Sequence, residues 1–276
     1  MFPAIPRYRP RRYGFAVLAV ALAVLLVGAS SVAFALTRGA PEARVAVPGP
    51  ASPSPVLPPA PASASASPSL VPPASAASVA PPAAPNSGPG TWQYASTAGP
   101  VLGGTGRLRR FRIAVETGIG YPVTGFADTV DAVLGDPRSW IAGGGFRLQR
   151  VPAGAAAEFT VYLATRSTST RMCRAGGLST GGYTSCRTPG KVIINLDRWL
   201  TAVPDYTDAG VPLDTYRVYV INHETGHQLG HGHELCPGPG RPAPVMEQQT
   251  LGLHGCTANP WPYLDGARYA GPPGQY

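Results

Sequence analysis

Charge is scarce in this 276-residue chain, at 13% of residues. The formal net charge of +8 overstates what a partner could meet. Six of the 22 basic residues and one of the 14 acidic ones precede position 45, which leaves 16 against 13, a net +3. So mild an excess argues against a nucleic-acid partner. From Gly14 to Leu36 there is no charge at all. An apolar run of that length can cross a bilayer of about 30 Å. Arg7, Arg9, Arg11 and Arg12 stand before it. This pattern predicts a cytoplasmic segment (1–13), a single-pass signal anchor (14–36) and an extracellular remainder in the cell membrane. Ala33-Phe34-Ala35 has the form of a signal-peptidase site, so secretion after cleavage near Ala35 is the alternative. Residues 37–90 are dominated by Ala, Pro and Ser. They lack the apolar surface for a core and read as a disordered, polyproline-like tether.

Cysteine is scarce too: Cys173, Cys186, Cys236 and Cys256, with no C-x-x-C pair among them. That absence argues against a zinc site built from four thiolates. An even count in an exported domain points to disulfides. Pairing by proximity joins Cys173 to Cys186 and Cys236 to Cys256, one of three possible connectivities.

Residues 91–276 remain as one domain of ordinary size. A strand is expected at 108–116, where Phe111, Ile113 and Val115 alternate with other residues. A helix follows at 124–134, capped by Thr124 or Gly125 and stopped at Gly135-Asp136-Pro137. Trp140 is expected where that helix meets the sheet. Two strands, 146–151 and 158–164, flank a Pro-Ala-Gly turn. Residues 166–190 are polar and glycine-rich and read as a bridged loop. The segment 191–197 reads as an apolar strand, and 214–229 as a helix capped by Asp214. The class is α+β.

The last helix carries the chemistry. It reads His223-Glu224-Thr225-Gly226-His227-Gln228-Leu229-Gly230-His231-Gly232-His233. Residues four apart share a helix face, so His223 and His227 can reach one zinc ion. Glu224 lies about 100° further round, beside the metal, where a general base belongs. His231 would share the face but lie about 12 Å from His223 by helical rise. The helix must therefore end first, and Gly230 can take the left-handed cap. His233 then returns to the metal, and His231 is left as a bystander or as a support behind the ligands. His254 reads as a loop residue.

This pattern resembles the metzincin zinc endopeptidases, whose motif is H-E-x-x-H-x-x-G-x-x-H followed by a Met-turn. His223, Glu224, His227, Gly230 and His233 match its fixed positions, and Met246 follows in Ala243-Pro244-Val245-Met246-Glu247. The stretch 216–262 also resembles a DUF3152-like group of exported actinobacterial proteins. The resemblance implies a twisted mixed sheet packed with helices, an active-site helix with its Gly turn, and a Met-turn loop. It implies one catalytic Zn²⁺, with Met246 as an apolar floor under the imidazoles. It implies a peptide or protein substrate, and places Gln248, Gln249, Thr250 and Leu251 along the substrate pocket. In some branches a Tyr stands two residues after the methionine; here that position is Gln248. The expected activity is a zinc metalloendopeptidase. An amidase acting on cell-wall peptides, or a non-catalytic zinc-stabilised binding module, are the alternatives.

Overall fold

A ten-residue central strand organises the sheet. It is β3 (Arg107–Glu116), preceded by β1 (Trp92–Tyr94) and β2 (Val101–Leu102). The structure, a computed structural model, describes residues 84–276. The expected cytoplasmic segment, the membrane anchor and most of the tether lie outside the described residues. Among the described residues no helix is long and apolar enough to cross a membrane.

Two further strands, β4 (Phe146–Arg150) and β5 (Phe159–Ala164), run parallel to β3 on its opposite sides. They are not hairpin partners, although only a short turn separates them. That turn crosses β3 on the Arg112 side, where Arg112 Nε donates to Ala155 O at 3.2 Å. Outside β5 lies parallel β7 (Lys191–Asn195), and antiparallel β6 (Cys186–Thr188) forms the edge. On the other flank β2 pairs antiparallel with β4, and β1 with the later half of β3. The result is a mixed, twisted sheet in the order β2-β4-β3-β5-β7-β6, with β1 also on β3.

Both faces are covered. Phe111, Ile113, Val115, Val161, Leu163, Val192 and Ile194 point into the main core. There they meet α1 (Val123–Gly135) and the long helix α5 (Leu213–Leu229), with α3 (Leu196–Thr201) and α4 (Pro204–Asp208) beside them. Ile193, one residue out of phase, faces a small second cluster with Cys173 and Cys186. This alternation is what a strand buried on both faces requires.

The segment 166–190 is not the expected loop. It opens with α2 (Arg166–Ala175), whose Thr165 side chain caps Thr168 N. Only Thr168, Ser169 and Cys173 of α2 are buried. With no apolar stripe, hydrophobic spacing could not reveal it. The expected strand 191–197 ends at Asn195, whose Oδ1 accepts from Asp197 N at 3.1 Å and starts α3. Asp214 is not the cap of α5. The carbonyl of Pro212 takes the first turn's bond from Thr215 N at 3.0 Å, and Asp214 pairs with Arg217 at 2.9 Å. Likewise α1 begins at Val123 with Pro122 as its cap residue, so Thr124 and Gly125 lie inside the first turn and cap nothing.

Residues 84–90, assigned to the tether from composition, lie against this domain. Ala84 packs on the core, and Asn86 O accepts from Ser167 N. Gly90 N donates to the buried Glu116 carboxylate at 2.8 Å. Burial alone would raise the pKa of Glu116; bonds from Thr168, Thr165 and Gly90 outweigh it and hold the group below the usual value.

Candidate metal centre

The helix α5 is buried along most of its length, from Tyr216 to Gly226. Two features press it into place. Trp140, in a short 3-10 turn (Trp140–Gly143), donates Nε1–H to Asn222 O at 2.8 Å. Its turn touches both α1 and β4, the place expected for Trp140, and the indole adds this bond to α5. Gly226 has no room for a side chain: a Cβ there would strike the Met246 sulfur and lie 2.6 Å from Trp140 Cζ2. The Asn222 amide is also fully engaged, accepting from Ser139 Oγ at 2.8 Å and donating to Pro260 O at 3.0 Å.

The helix ends where the spacing predicts. Gly230 has φ 102°, the left-handed region, and its N–H bonds back to Gly226 and His227 carbonyls. The chain then turns back. His227 Nε2 lies 3.2 Å from His223 Nε2 and 3.1 Å from His233 Nε2. The other ring nitrogens face outward to acceptors. His223 Nδ1 meets Val245 O at 2.9 Å, His227 Nδ1 meets His231 O at 2.9 Å, and His233 Nδ1 meets Gln275 Oε1 at 3.1 Å. A proton on each Nδ1 leaves three bare Nε2 lone pairs facing one another. Such an arrangement repels itself unless a cation lies between. Four ligands around zinc at about 2.0–2.1 Å stand about 3.3 Å apart in tetrahedral geometry, close to what the imidazoles show. The donor set therefore fits zinc.

Electrostatics agree. Burial pushes the His223 imidazole well below its ordinary pKa, and pushes His227 down to about 4. Both are held neutral, the form in which an imidazole can bind a metal. Burial pushes the Glu224 carboxyl up to about 8, and its Oε2 has no hydrogen-bond partner among the described residues. It opens with the three histidines onto a cavity of about 620 Å³. Thr184, Ser185, Cys186 and Arg187 form one wall, so the edge strand β6 borders it.

The remaining predicted residues separate. Met246 is fully buried against Gly226, in a turn closed by Glu247 N to Pro244 O at 2.9 Å. Gln248, Thr250 and Leu251 line the cavity. Gln249 does not, because its amide is spent inside the protein. Its Oε1 accepts from Tyr206 OH at 2.6 Å, and its Nε2 donates to Pro244 and Asn259 carbonyls. His231 stacks on Trp140 with ring centres 4.2 Å apart, and only its carbonyl serves the cluster. His254 lies beside Glu247 Oε1 at 3.3 Å and under the Tyr276 ring, away from the three. The disulfides are Cys173–Cys186 and Cys236–Cys256. A second grouping, Cys236, Glu247 and Cys256, offers no thiolate because its sulfurs are bonded to each other.

A family model described as "Protein of unknown function (DUF3152)" matches residues 79–260. The chain belongs to the DUF3152 family. No curated protein and no solved structure matches it. The DUF3152 match takes in all three histidines, Glu224 and Met246. It stops short of Gln275, which sequence reasoning also passed over, along with Asn222 and Gly226. Gly226 had a signal, a glycine inside a helix, which costs about 1 kcal/mol against alanine unless packing demands it. Gln275 had none.

Proposed function

We propose that this chain is a zinc-dependent endopeptidase with a metzincin-like site. The observation that carries the reading is the convergence of three Nε2 atoms, that of His227 lying 3.1–3.2 Å from the other two, beside a buried carboxylate whose Oε2 has no partner among the described residues. Bound there, zinc supplies Lewis acidity that lowers the pKa of water and polarises a carbonyl. His223, His227 and His233 would hold the ion. Glu224 takes a proton from the water that attacks the scissile carbonyl. It passes that proton to the leaving nitrogen as the C–N bond breaks, so the water oxygen ends on the acyl carbon. Glu224, kept protonated by burial up to about pH 8, would ionise more readily beside a bound cation. A closed structural site needs a fourth protein ligand. Among the described residues none joins the three, which supports catalysis over a purely structural role.

The substrate reading follows from the wall. An edge strand offers unpaired backbone groups to an extended peptide, and β6 is such a strand beside the cavity. The charge-free run at 14–36 supports an extracellular, membrane-tethered position, with release near Ala35 as the alternative. The test is Glu224→Gln in the full-length chain. The variant should keep one zinc per chain and lose roughly 10²–10⁴-fold in peptide hydrolysis. The assay panel pairs a peptide library with purified cell-wall peptides. Cleavage by the variant at the parent rate would sink the mechanism.

A further inference from the structure

We infer that Gln275 is a positioning residue for the third imidazole, fixing the ring and tautomer of His233 from the far end of the chain. The inference rests on the zinc reading of the three histidines. Metal-ligating histidines are oriented by the acceptor on their other nitrogen, and loss of that acceptor weakens metal binding about 10–100-fold. Here the three acceptors differ in kind. His223 and His227 use backbone carbonyls, those of Val245 and His231. His233 uses a side chain 42 residues away, Gln275 Oε1 at 3.1 Å. With Nε2 turned into the cluster, Nδ1 of His233 carries the proton, so the amide oxygen must face it.

His233 needs such help more than its partners. His223 and His227 stand on a buried helix, whereas His233 lies past the Gly230 cap in irregular chain. What runs beside it is the segment 271–276. Gly274 N donates to His233 O at 3.1 Å, Leu235 N donates to Pro272 O at 2.8 Å, and Glu234 and Pro273 form an antiparallel bridge. Gly271 permits this approach, since a Cβ there would collide with Leu235 O. Beyond Gln275, Tyr276 OH accepts from Cys236 N at 3.0 Å, and its ring stacks on His254 at 3.4 Å. Gln275 is therefore held on both sides.

The test uses the full-length chain with Gln275→Leu, which keeps volume but removes the acceptor, and Gln275→Glu, which keeps an acceptor. Zinc affinity is read by competition with a chromophoric chelator, and ligand geometry from the visible spectrum of the cobalt-substituted protein. Thermal unfolding of the metal-free forms reports packing. Gln275→Leu should bind zinc about 10-fold more weakly with an altered cobalt spectrum, Gln275→Glu should match the parent, and the metal-free Tm values should coincide. Parent-like zinc affinity in Gln275→Leu overturns the proposal. So does an equal fall in affinity and metal-free Tm in both variants, which would mark a packing role only. If the parent fails to bind zinc more tightly than a His223→Ala control, the underlying zinc reading fails instead, and the proposal with it.

Discussion

The two sides of the histidine cluster are built on opposite terms. His223, Glu224 and His227 stand on α5, held by its backbone bonds, the first two buried in the core and His227 half-buried in the last turn. His233 stands on chain without regular structure, held by the bonds of residues 234–276 to one another. On the helical side position follows from period and burial. On the other side it follows from long-range closures, among them the Cys236–Cys256 disulfide, the Arg268–Glu234 pair at 2.7 Å and the segment beside Leu235. One site can thus take half its precision from a rigid element and half from a stapled loop. Damage to each half should then read out differently.

The disulfides give the largest contrast. Cys236–Cys256 spans 20 residues and closes the Pro-rich loop that leads to Met246, while Cys173–Cys186 spans 13 and ties α2 to the opposite wall. Replacing either pair by serine should cost about 3 kcal/mol. That corresponds to a Tm loss of roughly 6–12 °C for a domain of this size. Only the Cys236 and Cys256 replacement should also weaken zinc binding, since only that bridge steadies the side bearing His233. Equal zinc affinities for the two double variants would erase the distinction.

A smaller contrast lies within the helix itself. Gly226→Ala forces a methyl against Met246 and Trp140, an overpacking worth about 1–3 kcal/mol. Gly230→Ala meets nothing within 4 Å, but φ 102° makes alanine strained by about 1–2 kcal/mol. The first should show mainly as lost stability. The second should show more strongly in zinc affinity, because the turn it disturbs delivers His233. Calorimetric unfolding beside a zinc titration separates them, and an effect of Gly230→Ala on stability alone would contradict the assignment.

Legibility divides along the same line. The spacing of His223 and His227, and the need for a break at Gly230, follow from helical geometry, so a single sequence suffices to read them. The alternation of Phe111, Ile113 and Val115 marked β3 for the same reason. Helix α2 escaped because its buried residues are Thr168, Ser169 and Cys173, which carry no apolar period. Gln248 and Gln249 are adjacent and alike, yet only the first reaches the cavity; the bonds to Tyr206, Pro244 and Asn259 that withdraw Gln249 are tertiary facts. Gln275 depends on a contact 42 residues from its partner, and nothing local announces it. Periodic positions are legible, and positions set by closure are not.

The smallest expected effect compares two carboxylates, one on each side. Glu224 on the helix and Glu247 in the loop are both buried, and each has an oxygen without a hydrogen-bond partner among the described residues. Burial raises Glu224 to about 8 and Glu247 to about 7. In the metal-free protein each folded carboxyl keeps its proton after the unfolded one, near 4.5, has lost it. The stability each contributes is therefore lost as pH rises from about 4.5 toward those values. His223 and His227, pushed below 6.5, work in the other direction, and the folded state loses stability as pH falls below about 6.5. The metal-free chain should thus unfold at its highest temperature in mildly acidic solution and drop on the order of 5 °C by about pH 8. Glu247→Gln should remove the part of that drop completed by about pH 7, and Glu224→Gln the part that continues to about pH 8. Zinc, which favours ionised Glu224 and neutral imidazoles, should widen its stabilising effect from about pH 5.5 to about pH 8. A metal-free Tm that stays level across this range would mean that neither carboxylate is held as its burial indicates.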